Sequence, residues 1–376
     1  MSHLAKAKRK ILQDNSGKNY SEIEVVDLSN GTISDCSMSG VINFISSNIP
    51  ELTYLNLSNN SLSDRGVNVL SKHINSWENI TELDLSNNTH ISDKGIIALG
   101  ESLQNNYSIA SLSFEGCNME SDSYALHGLL EGSESLTALD LSDNIIGNAG
   151  ASHLIEAIKN NQNNHKNIFK SLSLNSNNIS DEFIENSLYD FIYSDSCVLT
   201  DLKLSFNQIQ NTGLELIALG LQNNISLKIL ELADNEFDKD GVNILCLSLG
   251  GHPSVQILDL SENDLGDEGV GFVAQYLSKA KVLQELFLDG VNTDHLACEL
   301  IMKAVLANKI IEGAFSSLSI KYNCFDDVDA EYIQNVLLGD SNLTKLNLDG
   351  NDLSSIGLQM LADGITYNST LTSLSL

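Results

Sequence analysis

Residues that could carry chemistry are few in this sequence, and their spacing does not assemble them into a reaction centre. Eight histidines are scattered, and the sequence has no His-Glu-x-x-His zinc motif, nucleophile elbow or phosphate-binding glycine loop. His73 and His153 lie beside apolar positions of helical spacing, so we interpret both as packing residues. Asp140 and Asp143 are neighbours on one predicted strand, and such a pair is weak evidence for acid–base catalysis. We therefore predict a protein without catalytic residues, metal ions or cofactors.

Acidic residues dominate the charge of the chain. The 376 residues include 50 Asp and Glu against 20 Lys and Arg, which gives a net charge of −30. This excess argues against binding to nucleic acid or to anionic membranes, because both attract Lys and Arg. We expect a protein partner with a basic or mixed surface, although acidic helices would also keep a long apolar stack soluble. Asp234, Asp259 and Glu262 could hold Ca²⁺, but clusters of this kind arise by chance on so acidic a surface.

The cysteines and the N-terminus bear on the compartment. The six cysteines lack Cys-x-x-Cys spacing, and we predict buried, reduced thiols at Cys36, Cys117, Cys197, Cys246, Cys298 and Cys324. No apolar run reaches the length of a transmembrane helix. The first ten residues are basic but lack the apolar segment of a Sec signal peptide. We predict a cytoplasmic location, or delivery into a host-cell cytosol by another route.

One pattern, L-x-x-L-x-L-x-x-N-x-L, organises the positions of all these residues. It is clearest from Leu52 to Leu62, and twelve intervals between Ile23 and Leu371 span 348 residues, a mean period of 29. Self-similarity at this period predicts a stacked solenoid, and the consensus is that of leucine-rich repeats. The thirteen starts are Ile23, Leu52, Ile80, Ile109, Leu136, Phe169, Leu199, Leu227, Val255, Leu283, Phe315, Leu343 and Leu371.

Each repeat is predicted to combine a short strand with a helix. Alternate strand residues, such as Leu55, would point into the core. The recurring Asn, such as Asn60, would satisfy buried backbone groups of the turn and form a hydrogen-bonded ladder. A recurring Gly precedes apolar residues four and eight positions further on, as Gly66 precedes Leu70 and Ile74. This spacing gives a helix one apolar face, and we expect the Gly to allow close helix–strand approach.

A strand and a full helix within each repeat of this length resemble the ribonuclease-inhibitor-like subfamily of leucine-rich repeats. The resemblance covers residues 23–376. It implies an α/β leucine-rich-repeat solenoid, a horseshoe of about 13 repeats with a concave parallel β-sheet and convex α-helices. Residues 1–22 would form a basic N-terminal arm or a cap over the first repeat. Two longer intervals contain polar insertions at residues 160–165 and 308–313, which we expect to be surface loops.

Variable strand positions beside the core leucines would face the concave side of the sheet. In the seventh to eleventh repeats these positions hold large apolar and charged residues, a combination typical of binding anchors surrounded by charge. The alternative is that Phe206 and Phe287 pack sideways on the sheet. The predicted partner-binding residues are Lys203, Phe206, Ile229, Glu231, Asp234, Ile257, Asp259, Glu262, Phe287, Asp289, Lys321 and Tyr322.

The resemblance implies a non-enzymatic module that binds a protein partner on its concave face, in the stronger form by occluding the active site of a partner enzyme. Frequent Asn, Ser and Ile with only two prolines are typical of a low-GC bacterium. Proteins of this subfamily in intracellular bacteria are often effectors. We therefore predict a secreted bacterial effector that inhibits or sequesters a host protein or another effector.

Two alternatives stay open. The subfamily is also similar to the GTPase-activating protein of the small GTPase Ran, which works through an arginine of its N-terminal repeats. Arg65 is the only arginine after Arg9, but it lies beside a predicted helix start and not in a strand-to-helix loop. The sequence ends at Leu376 within its last predicted strand, so the second alternative is a recognition fragment of a larger protein.

Overall fold

The computed structural model describes residues 3–31, 33–104, 106–120, 123–131, 133–165, 169–339 and 341–376. The chain packs into two compact units, Met1–Ile179 and Ser180–Leu376, which we call unit 1 and unit 2. In both units short parallel strands alternate with helices, so the predicted α/β solenoid is confirmed within each. The assignment of residues 23–376 to one domain stays a prediction.

The described part of unit 1 contains six strands of three residues each. They are β1 (Val25–Asp27), β2 (Tyr54–Asn56), β3 (Glu82–Asp84), β4 (Ser111–Ser113), β5 (Ala138–Asp140) and β6 (Ser171–Ser173). Neighbouring strands pair in parallel and without a shift, so the middle residues of all six form one row. The helices are α1 (His3–Asp14), α2 (Asp35–Asn48), α3 (Asp64–Ile74), α4 (Asp93–Leu103), α5 (Ser123–Glu131) and α6 (Gly147–His165).

Unit 2 repeats this arrangement with seven strands among its described residues. They are β7 (Asp201–Lys203), β8 (Ile229–Glu231), β9 (Ile257–Asp259), β10 (Glu285–Phe287), β11 (Ser317–Ser319), β12 (Lys345–Asn347) and β13 (Ser373–Ser375), again parallel and in register. A π-helical turn (Ile184–Leu188) joins α7 (Asp181–Phe183) to α8 (Tyr189–Tyr193). The other helices are α9 (Asn211–Leu221), α10 (Lys239–Leu249), α11 (Gly266–Leu277), α12 (His295–Ile310), α13 (Ala330–Leu338) and α14 (Ser355–Tyr367).

The strands owe their orientation to alternation of apolar and variable residues. Leu258 at the centre of β9 is fully buried, whereas Ile257 and Asp259 on either side of it are half exposed. Side chains of a strand alternate between its two faces, so the leucines enter the core beneath the helices. The flanking residues form the opposite surface of the sheet, which we call the strand face.

The recurring asparagines form the predicted hydrogen-bonded ladder. In unit 2 the Asn263 side-chain amide donates to the carbonyls of Leu232 in the preceding repeat and of Leu260 in its own, both at 3.0 Å. Its Oδ1 accepts the backbone N–H of Asn235 at 3.0 Å. One buried side chain thereby satisfies backbone groups of two turns, which would otherwise be buried without partners. The ladder prediction is confirmed.

A second ladder links the starts of successive helices, and we call it the helix-start ladder. The Asp64 carboxylate, in the first turn of α3, accepts the N–H groups of Ser92 at 2.7 Å and Gly95 at 3.1 Å in the next repeat. A Cβ at Gly95 would lie only 2.9 Å from that carboxylate. The recurring Gly therefore makes room for a carboxylate of the preceding repeat, and not for the helix–strand approach that we expected. The same pairing joins Asp35 to Gly66, Asp181 to Gly213 and Asp327 to Gly357.

The basic N-terminal segment is helical and contacts the first repeat. Ile11 of α1 is buried, and the Lys10 ammonium donates to the Asp27 carboxylate at 3.3 Å and to the Ser29 carbonyl at 2.9 Å. One of its basic side chains therefore neutralises an acid of β1. The role of α1 as a cap stays a prediction.

The surface loop predicted at 160–165 is wrong, and the one predicted at 308–313 is wrong for its first three residues, because the insertions lengthen helices; residues 311–313 do form a turn. Helix α6 continues to His165 and α12 continues to Ile310. The reason lies in buried asparagines that bind the preceding repeat. Asn308 donates to the carbonyls of Leu277 at 2.8 Å and Ala280 at 2.7 Å, at the end of α11.

The prediction of buried thiols is correct for four cysteines and wrong for Cys36 and Cys324, which are exposed. Cys36 lies in the first turn of α2 and Cys324 in the turn after β11, outside the apolar faces of both elements. All six thiols are free, and burial raises the pKa of Cys117 and Cys246 to about 12. Among the described helices, none is both long enough and apolar enough to cross a bilayer.

Candidate functional site

The strand face of unit 2 brings six of the predicted binding residues into adjacent rows. One row contains Ile229 beside Ile257, and the other runs through Lys203, Glu231, Asp259 and Phe287. Parallel strands lie about 4.8 Å apart, so neighbouring side chains of a row are within reach of one another, as the ion pair of Lys203 with Glu231 shows. All six are half exposed. The rows therefore present apolar and charged groups side by side on an accessible surface.

A third row lies where each strand turns toward its helix. The residue directly before the ninth motif position, which is Asn in most repeats, has a positive φ in every one of the first twelve repeats, and we call this row the left-handed column. This conformation favours Gly, Asn and Asp, because other side chains clash with the following carbonyl. The column consists of Asn30, Asn59, Asn87, Gly116, Asp143, Ser176, Phe206, Asp234, Glu262, Gly290, Tyr322 and Gly350.

Phe206 and Tyr322 are bulky outliers in the left-handed column. Their φ angles are 59° and 54°, and each residue is largely exposed, to 54% and 61%. They stand four repeats apart, which corresponds to roughly 19 Å along the sheet. The structure thus separates these aromatics instead of joining them in one cluster, and Phe287 lies on a strand between them.

Tyr322 and Glu262 are among the column residues that rest on a glycine of the next repeat. A Cβ at Gly350 would lie 2.1 Å from Cε1 of the Tyr322 ring, so the ring covers that glycine. A Cβ at Gly290 would likewise lie 2.7 Å from both carboxylate oxygens of Glu262. The glycine after each of these side chains gives it room to lie flat.

Ion pairs and burial shape the charge of the strand face. Lys203 pairs with Glu231 at 2.8 Å, and Lys321 pairs with Asp289 at 3.1 Å. The hydrogen bond to Asp289 raises the pKa of Lys321. Burial, with help from the neighbouring acids, raises the pKa of Asp259. The twelve predicted residues include five carboxylates and two lysines, so the face is acidic overall.

Asp289 differs from its prediction because it is buried, not exposed. Its carboxylate accepts the Ser319 hydroxyl at 2.6 Å and the Lys321 backbone N–H at 2.8 Å. These bonds hold the next strand end, so Asp289 shapes the face from beneath and is not available for direct contact with a partner.

Two other groups considered in the sequence are placed as follows. Within the described residues, Asp234, Asp259 and Glu262 do not form a group of converging ligand atoms, and this argues against the Ca²⁺ site. Arg65 is exposed in the first turn of α3. It therefore lies at a helix start, as the sequence indicated, and not in a strand-to-helix loop.

The sequence patterns did not lead us to predict the left-handed column, although the residue types at its positions indicate it. Asn, Asp or Gly precedes the consensus Asn in most repeats, and this composition is typical of a positive φ. Against that background, Phe206 and Tyr322 stand out as residues that do not suit their backbone.

Comparisons with known proteins agree with this architecture. Seven segments match the sequence profile described as "Leucine Rich repeat", at residues 50–71, 78–100, 132–154, 195–218, 223–246, 251–274 and 339–362. No curated protein sequence matches the chain. A chain of the yeast Rad7–Elc1 complex is similar in structure, with 16% identity, a TM-score of 0.53 and coverage of 91% of this chain and 88% of that one. Internalin InlF from Listeria monocytogenes aligns with 19% identity, a TM-score of 0.43 and coverage of 100% and 95%. The seven matched segments therefore identify leucine-rich repeats in both units of this chain.

Proposed function

We propose that the protein is a non-enzymatic interaction module that binds a protein partner on the strand face of unit 2. Phe206, Phe287 and Tyr322 are the apolar anchors, and the surrounding carboxylates select a basic or mixed partner surface. The observation that carries the proposal is the pair of exposed aromatics in left-handed backbone.

The energetic argument is that each aromatic carries two local costs in the free protein, which its contacts with neighbouring residues only offset. A residue with a Cβ loses about 1–2 kcal/mol in the left-handed conformation, and an exposed aromatic ring leaves apolar surface in water. Asn or Gly at the same position would avoid both costs. Ten of the twelve column positions indeed hold a residue that is not aromatic. Costs of this kind concentrate at functional sites, and aromatic residues are enriched among binding hot spots.

The fuller form of the proposal concerns the biological role. The module acts as a bacterial effector in a host-cell cytosol, where it inhibits or sequesters a host protein or another effector. The composition supports a low-GC bacterial source, and the net charge of −30 supports a basic protein surface over nucleic acid as the target. The small-GTPase alternative relies on Arg65, and no contact among the described residues of unit 1 favours it. The alternative of a recognition fragment would leave the same binding face in use.

Affinity capture tests the proposal. The 376-residue chain is immobilised, and proteins from a host-cell lysate are captured. The affinity of each captured protein is then measured for the variants Phe206→Asn, Phe287→Ala and Tyr322→Asn. We expect each substitution to weaken binding at least about tenfold, as truncation of an aromatic anchor does. Tyr107→Ala is the matched control, because Tyr107 is 68% exposed but lies outside the strand rows.

Thiol labelling provides an independent readout of the same face. Cys324 is exposed two residues after Tyr322, and Cys36 is exposed in unit 1. A partner on the proposed face should slow alkylation of Cys324 and leave that of Cys36 unchanged. Unaltered affinity in all three variants, together with equal labelling of both thiols, would show that the proposed face is wrong.

A further inference from the structure

The helix-start ladder changes at the junction between α12 and α13. In the ladder position of α12 the carboxylate is replaced by the imidazole of His295, and in the next repeat the Gly position is occupied by Asp329. The Asp329 carboxylate takes over one ladder contact, since its Oδ2 accepts the Asp326 backbone N–H at 2.9 Å. Compared with the other junctions, the carboxylate therefore belongs to the following repeat instead of the preceding one, and an imidazole of the preceding repeat faces it.

Three potential ligand atoms converge at this junction. Nδ1 of His295 lies 2.8 Å from Oδ2 of Asp329 and 3.8 Å from Oδ1 of Asp326. The three atoms all lie within 4.8 Å of one another, and within the described residues they are the one such group of His, Cys, Asp or Glu. A fourth acid, Asp294, lies 3.6 Å from the other ring nitrogen of His295.

Burial of Asp329 supplies a second and independent observation. The residue is completely buried, and its Oδ1 has no hydrogen-bond donor among the described residues. A buried carboxylate oxygen without a partner is costly, because it has lost water and gained nothing. The ladder exchange explains Oδ2 but leaves this oxygen unsatisfied. A cation bound at Oδ2, the oxygen that faces His295, would compensate the charge of the whole buried carboxylate.

We propose that His295, Asp326 and Asp329 form a binding site for a divalent transition-metal ion of the zinc type. Imidazole combined with carboxylates is a ligand set for Zn²⁺ and its first-row neighbours. With metal–ligand bonds of about 2.1 Å, the separations of 2.8 Å and 3.8 Å correspond to angles of roughly 84° and 130° at the metal. Such angles suit a distorted four- or five-coordinate centre. The exposed sides of His295 and Asp326 leave room for water as a further ligand.

Two effects oppose metal binding, the helix dipoles and a competing proton, and the attraction between the ion and the two carboxylates outweighs both. The positive ends of α12 and α13 point at the site, but each amounts to only about half a charge, whereas two full carboxylate charges are direct ligands. A proton in the His295–Asp329 hydrogen bond competes with the ion at the same nitrogen. The ion carries twice the charge of that proton and also reaches Asp326. Because its ligands come from α12 and from the turn before α13, the bound metal would join two repeats.

Titration of the stripped protein with metal tests the site. The full chain is treated with a chelator, dialysed, and titrated with Co²⁺, followed by visible absorption, and with Zn²⁺, followed by calorimetry. We expect one ion per chain and a rise in Tm with Zn²⁺. Affinity should fall more than about tenfold in His295→Gln and in Asp326→Asn. Both residues are partly exposed, so these variants test binding without the risk of replacing buried Asp329.

Asp327→Asn is the matched control. Asp327 is adjacent to Asp326, but its carboxylate binds Ser354 and Gly357 of the next repeat, at 2.9 Å each. This variant should keep full metal affinity even where it lowers Tm. The site is refuted if no saturable binding occurs up to about 1 mM metal. It is equally refuted if His295→Gln and Asp326→Asn, shown to be folded by circular dichroism, bind metal as the unaltered chain does.

Discussion

Replacing Phe206 separates the stabilisation that its ring supplies from the cost of its left-handed backbone. Its exposure of 54% leaves roughly 90 Å² of a side chain of about 200 Å² in contact with the protein. At about 25 cal/mol per Å², that contact stabilises the fold by roughly 2 kcal/mol. The left-handed backbone at φ 59° costs about 1–2 kcal/mol for most side chains and much less for Asn.

The comparison of Phe206→Ala with Phe206→Asn isolates the backbone cost. Both substitutions remove the ring, but only Asn suits the left-handed conformation. We expect the free energy of unfolding to fall by about 2 kcal/mol in the alanine variant and by about 1 kcal/mol in the asparagine variant. The asparagine variant should therefore be the more stable of the two by about 1 kcal/mol. Equilibrium urea denaturation, with the slope m unchanged, measures the difference. Both variants should lose affinity for a partner of the strand face to the same extent.

Tyr107 is the control, because it is more exposed than Phe206 and does not have a positive φ. The Ala and Asn variants of Tyr107 should agree within about 0.5 kcal/mol. Equal stability of Phe206→Ala and Phe206→Asn would show that the backbone at Phe206 is not strained by the ring. An asparagine variant that binds the partner as well as the unaltered chain does would remove Phe206 from the binding site.

Three further predictions concern the core, the buried acid and the thiols. Leu258→Asp should destabilise unit 2 by several kcal/mol because it buries an unpaired carboxylate, and a thermal melt identical to that of the unaltered chain would contradict the strand register. Burial raises the pKa of Asp259, so its ionised form destabilises the fold. Asp259→Asn should therefore raise Tm most above the folded-state pKa, and melts from about pH 3 to pH 7 should show this gain vanish below the unfolded value of about 3.9. In native protein at about pH 8, alkylation followed by mass spectrometry should modify exposed Cys36 and Cys324 but not Cys246, whose pKa is raised to about 12; rapid modification of Cys246 would contradict its burial.

The solenoid could be predicted because every repeat has the same residue types at the same structural positions. Leu258, Asn263 and their equivalents recur at one spacing, so an error in one repeat is corrected by the others. Helix length could not be predicted in this way. The insertion at 308–313 resembles a loop, yet its first three residues belong to α12, and Asn308 donates to backbone carbonyls 28 and 31 residues earlier. A local pattern does not show a partner in the preceding repeat.

The candidate binding surface was predictable only in part for the same reason. Alternation along a strand correctly placed Ile257 and Asp259 on the accessible face. It failed for Asp289, which lies just beyond its strand, in the turn, and is buried by contacts with the next repeat. The convergence of His295 with Asp329 was not visible either, because it depends on two departures from the consensus 34 residues apart.

In a stack of repeats, a departure from the consensus is best interpreted together with the same position in the next repeat. Tyr322 is followed in its column by Gly350, whose missing Cβ accommodates the ring, and Glu262 is followed by Gly290 in the same way. These side chains are matched within the fold, so part of their cost is offset internally. Phe206 is followed by Asp234, an ordinary column residue that does not provide a glycine surface. Since the fold does not accommodate Phe206 in this manner, an external partner explains it better, and Phe206 is a stronger candidate than Tyr322 for the principal binding anchor.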